Sequence, residues 1–198
     1  MRMLELTQAI GIANRPTRGD ATRRKIVDTA IREFKAVGVE KASIANIARQ
    51  AGVSRPTFYF HFADKKQLLF ELQHRLEEPI VVLIEDCEDF SSTLAAVVRG
   101  LAKARKSVGN HQLFSDMLLL YTKNTQDVPM DDQPLLRALE KRFIAAKNRG
   151  ELREGLSPIN ATLLYLSSLY GYLIGQGRLA SDRECAAALR MISSLFCE

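Results

Sequence analysis

The nine residues 54–62, SRPTFYFHF, hold the side chains of this sequence that are best suited to chemistry. They could read DNA, stack on bases, bind a metal or line a β-strand. The guanidinium of Arg55 can pair with O6 and N7 of guanine, and Pro56 and the Thr57 methyl group can contact a thymine methyl group. Which of these uses applies depends on the secondary structure that positions the residues.

The flanking residues predict a helix here rather than a strand. Ser54 is a favoured N-cap residue, and Pro56 falls in the first turn, where a missing N–H costs little. Asp64 is a second favoured N-cap, so the helix must end just before it. Phe58 and Phe62 then share one face at a spacing of i, i+4 and are predicted to be core. A strand would lack a partner, because no other segment alternates convincingly between apolar and polar residues.

Two preceding helices complete a helix-turn-helix arrangement. Apolar residues recur at helical spacing from Asp20 to Gly38, which is a typical C-terminal stop. A second helix follows Ser43 and ends at Gly52, so that a short turn leads into the third. In this arrangement the last helix enters the major groove of DNA with its N-terminal residues. The predicted DNA contacts are Ser43, Ser54, Arg55, Pro56, Thr57, Tyr59, His61 and Lys65.

Positive charge is concentrated in the same segment. Residues 15–66 contain 12 Lys and Arg against five Asp and Glu, whereas the net charge of the whole chain is +5. A basic module joined to a mildly acidic remainder indicates a polyanion partner for the first module only. We therefore expect Tyr59, His61 and Lys65 to contact the phosphates of double-stranded DNA.

The segment from about Thr22 to Leu69 resembles the N-terminal DNA-binding domain of the tetracycline-repressor (TetR) family. The resemblance is carried by A-x-x-x-F at residues 30–34, I-A-x-x-A-G-V-S at 47–54, T-x-Y-x-H-F at 57–62 and K-x-x-L at 65–68. This combination is far more specific than a generic helix-turn-helix pattern. It implies an all-helical homodimer, usually a repressor, that leaves its operator when a small molecule binds the C-terminal domain. By position it implies that Arg55, Pro56, Thr57 and Tyr59 read DNA and that His61 and Lys65 contact phosphates.

Several positions depart from the common pattern of that family. Ala42-Ser43 stands where two threonines are common, Asn46 where an acidic residue is common, and Pro56 where glycine is more frequent. Phe60 has two open interpretations: it packs on the following helix, or it lies against the sugar-phosphate backbone. These departures leave the operator sequence open.

The rest of the chain is predicted to be helical as well, which gives an all-α fold of about nine helices. Residues 20–66 form the helix-turn-helix domain, and residues 67–198 form a helical regulatory and dimerisation bundle. The long helix that begins at Asp64 belongs to both, and Pro79 within it is a candidate pivot. Residues 1–19 are either a disordered tail or a basic arm. The arginines available for phosphate or minor-groove contact are Arg15, Arg18, Arg23 and Arg24.

An effector pocket is expected between the helices of the C-terminal bundle. Such pockets are mainly apolar with a few polar groups, so the available side chains predict a hydrophobic or aromatic small molecule. Arg105 or Asp116 would supply the orienting polar contact. The candidate pocket residues are Arg105, Phe114, Met117, Tyr121, Phe143, Leu166 and Tyr170. Each of the apolar ones is better explained as plain core than as pocket wall.

The last two helices are the predicted dimer interface. A mostly small-residue stripe on the first permits close approach, and the second has an apolar face, so two copies would form a four-helix bundle. The residues are Leu164, Ser168, Gly171, Gly175, Leu189, Ile192, Leu195 and Phe196. The alternative is that these faces pack only within their own chain.

No constellation for catalysis or metal binding emerges from the sequence. The three histidines have no evident partner at ligand spacing, and neither a Ser-His-Asp set nor a phosphate loop occurs. We therefore predict no enzyme activity, no metal and no cofactor. No apolar run reaches about 18 residues, the N-terminus lacks a secretory pattern, and three scattered cysteines suggest a reducing compartment. A cytoplasmic location is expected.

Two functional hypotheses remain. The first is a ligand-responsive repressor that binds a palindromic operator as a homodimer and is released by an effector. The second keeps the DNA-binding head, but its C-terminal bundle only dimerises or binds a protein partner.

Overall fold

A computed structural model of the protein describes residues 17–124, 133–175 and 181–197. These residues form nine helices and no strand; a single β-bridge joins Leu152 and Cys197. The helices are α1 (Arg18–Lys41), α2 (Ile44–Gln50), α3 (Arg55–His61), α4 (Lys65–Glu85), α5 (Phe90–Val108), α6 (His111–Asn124), α7 (Pro134–Arg149), α8 (Pro158–Gly175) and α9 (Asp182–Ser194). The predicted all-α fold is thereby confirmed. None of the described helices is long and apolar enough to cross a membrane.

Helices α1 to α3 form an N-terminal head around the predicted core. Phe34, Ile47, Phe58 and Phe62 are all buried there, because their spacing places them on the inward faces of the three helices. Helix α1 begins at Arg18, two residues earlier than expected, and Thr17 is its N-cap. The Thr17 hydroxyl accepts from the Asp20 backbone N–H at 3.1 Å, and the Asp20 carboxylate accepts from the Thr17 N–H at 2.9 Å.

Gly38 bends α1 instead of ending it. Its φ of 80° lies in the left-handed region that favours glycine, and the helix assignment continues beyond it to Lys41. The predicted stop signal was therefore correct in position, but the last turn re-forms after the bend. This turn lies close to the start of α4.

Helix α4 connects the head with the C-terminal bundle. Asp64 caps it as predicted, accepting from the Gln67 N–H at 3.0 Å. Its buried residues face α1 at one end and the helices α5, α6 and α7 along the rest of its length. Pro79 lies within the helix, and the helical assignment runs through it without interruption. Both halves of the molecule therefore share one continuous element.

The C-terminal bundle packs α4 to α9 around an apolar core. Helix α5 starts at Phe90 and has Asp89 as its N-cap. Phe90, Phe143, Tyr165 and Phe196 form an aromatic cluster; the Phe90 and Phe143 rings meet edge-on at 4.7 Å. Gly100 lets α5 cross α4 closely, because a Cβ there would lie 2.7 Å from Cγ1 of Ile80.

Candidate nucleic-acid interface

Helix α3 presents its predicted reading residues to solvent while its phenylalanines hold it in place. Arg55 and Pro56 are exposed in its first turn, and Tyr59 is 51% exposed one turn later. Phe58 on the opposite face is fully buried and meets the Tyr59 ring edge-on at 5.6 Å. The structure therefore orients the start of α3 as a DNA-reading helix requires. The DNA contacts themselves stay predictions.

Phe60 is the side chain whose role the sequence left open, and it is 84% exposed. It does not pack on α4, which removes one of its two interpretations. Its ring lies edge-on against that of His61, 5.2 Å between centroids, on the same side of the head. A large apolar side chain held in solvent beside reading residues is an interaction feature rather than a core feature.

Ser54 and Thr57 form the local cap that starts α3. The Ser54 hydroxyl accepts from the Thr57 N–H at 3.1 Å and lies 2.7 Å from the Thr57 hydroxyl. Both hydroxyls are thus engaged with each other, although Ser54 remains exposed. Ser43 also occupies an N-cap position, at the start of α2, but its hydroxyl makes no capping bond and is exposed to solvent. Of these three hydroxyl groups, that of Ser43 takes no part in helix capping.

The Lys65 side chain is used inside the head, which corrects its predicted role. Its ammonium donates to the carbonyls of Val39, Glu40 and Ala42 at 3.0, 3.0 and 3.1 Å. An ammonium has three N–H donors, and all three are engaged with the end of α1. We therefore remove Lys65 from the predicted phosphate contacts. The sequence suggested only its proximity to the reading helix, not the three carbonyls 23 to 26 residues away.

Arg23 is likewise held within the head rather than offered to DNA. Its guanidinium donates to the His61 carbonyl at 3.0 Å and to the Glu71 carboxylate at 2.6 Å, and it lies 4.3 Å from the centre of the Phe62 ring. It thus satisfies a carbonyl at the C-terminus of α3, where a positive charge is favourable. The predicted arm contact through Arg23 is corrected accordingly. Residues 1–16, with Arg15, lie outside the described part of the chain.

Ion pairs extend this link from α1 along α4. Glu71 also faces Arg75 at 3.6 Å, and Arg75 pairs with Asp28 of α1 at 2.9 Å. Partly exposed pairs contribute little stability each, about 0–1 kcal/mol, but they restrict the relative orientation of the two helices. These contacts therefore join the first three turns of α4 to α1 of the head.

A buried carboxylate that the sequence analysis missed fixes α2. Glu33 is 8% exposed and accepts hydrogen bonds from Asn46 at 2.7 and 2.8 Å and from Gln50 at 3.0 Å. This explains the departure at Asn46, because an acid is supplied from α1 and the amide donates to it. An Asn and a Gln four residues apart on α2 were the available signal.

The predicted effector residues do not form one site. Phe114, Met117, Leu166 and Tyr170 are buried on α6 and α8, which pack against each other. Phe143 instead belongs to the aromatic cluster with Phe90, so we remove it from the candidate set. Arg105 is half-buried in the last turn of α5, and Asp116 accepts from Gln112 at 2.8 Å. The side chain of Tyr121 lies outside the described part.

A polar group that the sequence analysis did not single out lies inside the bundle. Gln73 and Glu77 of α4 are each 4% exposed, and the Gln73 amide donates to the Glu77 carboxyl at 2.7 Å. Tyr170 of α8 donates to the same oxygen at 3.4 Å. Burial raises the pKa of Glu77 above its ordinary value. Their i, i+4 spacing on the apolar face of α4 was the signal that could have identified them.

The predicted dimer residues divide into two groups. Leu164 is 55% and Leu195 56% exposed, Gly171 and Gly175 are exposed, and Ser168 and Ile192 are half-buried. Leu189 and Phe196 are buried in their own chain, so we remove both from the predicted interface. Phe196 packs on Tyr165, 5.3 Å between ring centroids. Met191, 69% exposed, belongs to the outward face and was missed.

Comparison with known proteins identifies the family to which the head is similar. Residues 26–72 match the family described as bacterial regulatory proteins, tetR family. The HTH-type transcriptional regulator SrpR of Pseudomonas putida is 28% identical over 146 residues, 73% of this chain and 67% of that relative. The uncharacterized HTH-type transcriptional regulator TtgW, also of Pseudomonas putida, is 33% identical over 98 residues, 50% of this chain and 72% of that relative.

The fold of the chain is also similar to that of solved structures. The structure of SmeT of Stenotrophomonas maltophilia in complex with triclosan superposes with a TM-score of 0.65 at 22% identity, covering 90% of this chain and 92% of that one. The same family is indicated by the motif residues of the head, by the order of the helices and by these similarities. The chain is a member of the TetR family of bacterial DNA-binding transcriptional regulators.

Proposed function

We propose that the protein is a repressor that binds a palindromic operator as a homodimer and leaves it when a small effector enters the C-terminal bundle. The observation that carries the DNA-binding part is the orientation of α3. Its buried Phe58 fixes the helix, while Arg55, Pro56 and Tyr59 face solvent at the end that enters a major groove. In this role Arg55 reads a guanine, and Tyr59 and His61 contact phosphates.

The dimer follows from the outward face of α8 and α9. We call this surface the bundle face; its exposed residues are Leu163, Leu164, Gly171, Gly175, Met191 and Leu195. A Cβ built on Gly171 or Gly175 would meet no described atom within 4 Å, so packing within the chain does not require glycine there. Small residues beside exposed leucines and a methionine suit a helix pair from a second copy. A two-turn reading helix contacts too few base pairs for high affinity alone, and a two-fold pair supplies a second half-site about 34–36 Å away.

Effector release is supported by the position of α4. Its first turns are tied to α1 through Lys65, Glu71 and Arg75, and its later turns form part of the bundle core. A molecule that displaces the buried part of α4 therefore moves the head and changes the separation of the two reading helices. The effector acts only by binding the two dimer shapes with different affinity. SmeT, which is described as the repressor of a multidrug efflux pump and was solved with triclosan, has the same fold.

Recovery of DNA from the source genome tests this function. The purified protein is incubated with sheared genomic DNA at about 0.15 M salt, and the bound fragments are recovered and sequenced. We expect a recurrent palindrome, with the preference at one base pair of each half-site relaxed in the Arg55→Ala variant. Diffuse recovery that disappears with modest added salt would show only a basic, polyanion-binding surface.

The second candidate function, a regulator whose bundle only dimerises, predicts a different result with the recovered operator. Binding would then be insensitive to every small molecule in a screen by fluorescence anisotropy. The buried polar group on α4 favours the effector-responsive form, because a buried carboxyl without a cationic partner costs stability that a bound ligand would offset.

A further inference from the structure

The interior of the bundle contains a polar cluster that its packing does not explain. Gln73, Glu77 and Tyr170 are 4%, 4% and 1% exposed and come from two helices, α4 and α8. We call these three residues the α4 polar cluster. Burying a carboxyl group away from water costs free energy unless its hydrogen bonds and charge are well satisfied, so the presence of this cluster calls for an explanation.

Within the described part of the chain, the hydrogen-bond partners of Glu77 are neutral. Its carboxyl accepts from the Gln73 amide at 2.7 Å and from the Tyr170 hydroxyl at 3.4 Å, and the backbone N–H of Leu135 at the start of α7 donates to it as well. The half-buried His74 on the same helix acts electrostatically to lower the pKa of Glu77, but among the described residues it makes no hydrogen bond to Glu77. A buried carboxylate is stabilised best by a cation in contact with it.

Gln73 offers a second acceptor. Its amide nitrogen is used on Glu77, while its Oε1 is buried and has no hydrogen-bond partner among the described residues. Exchanging the two ends of the amide would leave the nitrogen without that acceptor instead, so one end lacks a partner in either orientation. A buried polar atom without a partner costs about 1–3 kcal/mol, which a bound donor would recover.

We propose that the α4 polar cluster recognises the effector, and that this effector carries a hydrogen-bond-donating cationic group, an amine or an amidine, on an apolar body. The cation donates to the Glu77 carboxylate and to Gln73 Oε1, while the body lies among the buried apolar residues of α6 and α8. This inference rests on the proposed function and names the chemistry of its ligand. It replaces the predicted polar contacts of Arg105 and Asp116.

The position of the cluster explains how binding would reach the DNA. Gln73 lies between Glu71 and Arg75, the residues that pair with α1, and Glu77 follows half a turn after Arg75. Because the cluster is closed by α4, α7 and α8, a ligand must move α4 relative to those helices in order to enter. That movement acts on the part of α4 that is joined to the head.

The test uses the full-length protein and two matched series of probes. Arylalkylamines with chains of about two to eight carbons are each paired with the arylalkanol of the same length, so that the members of a pair differ in the cationic donor. Isothermal titration calorimetry gives Kd for each. We expect at least one amine to bind about tenfold or more tightly than its alcohol, as the loss of a hydrogen bond to a charged group predicts.

Variants assign the preference to the cluster. Glu77→Gln keeps the shape and removes the charge, so it should abolish the preference for amine over alcohol. Glu78→Gln removes the same charge from the next, exposed position and should keep it. Gln73→Met provides a second variant should Glu77→Gln fail to fold, and it should reduce the preference. Equal binding of amines and alcohols, an unchanged preference in Glu77→Gln, or no binding of any amine would overturn the inference.

DNA binding separates this inference from the proposed function. Wild type and the control Glu78→Gln should bind the recovered operator alike, since Glu78 is exposed and does not lie on the head. A specific operator that is released only by neutral compounds would contradict the amine inference and support the repressor function. Amine binding without any specific operator would support the amine site and contradict the repressor function.

Discussion

Lys65 provides the sharpest test of how the head is built. The substitution Lys65→Met keeps an aliphatic stem of similar length and removes the ammonium that donates to the carbonyls of Val39, Glu40 and Ala42. These carbonyls belong to the turn of α1 that follows the bend at Gly38, where the backbone has left regular helical geometry. Without Lys65 that turn loses its connection to the start of α4.

The expected loss follows from the number and surroundings of these bonds. A hydrogen bond to a charged group contributes about 1.5–3 kcal/mol. Here three bonds share one half-buried ammonium, and water can replace part of each when it is removed. We therefore expect a total loss of about 2 kcal/mol in the free energy of unfolding rather than three full bonds. For a chain of this size that corresponds to a fall in Tm of roughly 4–8 °C.

Two assays distinguish a structural Lys65 from a phosphate contact. Thermal unfolding is measured at fixed protein concentration, and operator affinity is measured as a function of salt. Lys65→Met should lower Tm and leave the slope of log K against log[salt] unchanged, apart from a uniform weakening if the head loosens. The control Lys66→Met removes an exposed neighbouring charge and should change the unfolding free energy by less than about 0.5 kcal/mol.

The opposite result would refute this reasoning. If Lys65→Met unfolded like the wild type and its salt slope fell by about one unit, the ammonium would neutralise a phosphate in the complex. Its contacts with α1 would then be broken on DNA.

Four further changes have defined outcomes. Arg55→Ala should cost about 1–3 kcal/mol of operator affinity and relax the preference at one base pair, measured on singly substituted operators; equal weakening on every sequence would contradict base reading. Gly100→Ala should destabilise the protein in denaturant unfolding, because its Cβ would press on Ile80 at a cost of about 1–3 kcal/mol. The better helix propensity of alanine should offset up to about 1 kcal/mol of that cost. Burial raises the pKa of Glu77, so wild-type stability is favoured while that carboxyl is protonated and falls as pH rises through its folded-state pKa. Glu77→Gln should therefore gain stability relative to wild type as the pH rises above the ordinary glutamate pKa of about 4, and a pH-independent difference in urea unfolding would contradict the burial argument. Leu164→Asp should yield a folded monomer with a wild-type circular dichroism spectrum in analytical ultracentrifugation, whereas a persistent dimer would exclude the bundle face.

The local organisation of the head could be predicted from the sequence because its signals are short-range. Ser54 and Asp64 cap α3 and α4 as expected, and both phenylalanines of α3 are buried, since caps and i, i+4 spacing depend on residues within one or two turns. The same holds for the helical character of the C-terminal half. The predicted start of α1 was wrong by two residues, because the capping box of Thr17 and Asp20 was not recognised in the sequence.

The roles of individual polar side chains were decided by tertiary packing. Lys65 and Arg23 looked available for phosphates, but each meets groups more than 20 residues away in the chain, which spacing alone does not reveal. Glu77 appeared to be one polar residue of an amphipathic helix, and it is buried because α7 packs on α4 and Tyr170 of α8 reaches it.

The apolar faces of α8 and α9 show the same difference between what a local pattern predicts and what tertiary packing decides. Periodicity shows that a face is apolar, but not whether its own chain or another copy covers it. Leu189 and Phe196 fall inside the bundle while Leu164 and Leu195 remain outside. The sequence by itself determined the helices, the helix-turn-helix and the family. Only the tertiary structure decided which side chains are free to meet DNA, effector or partner, because burial and hydrogen-bond partners are set by contacts between distant segments.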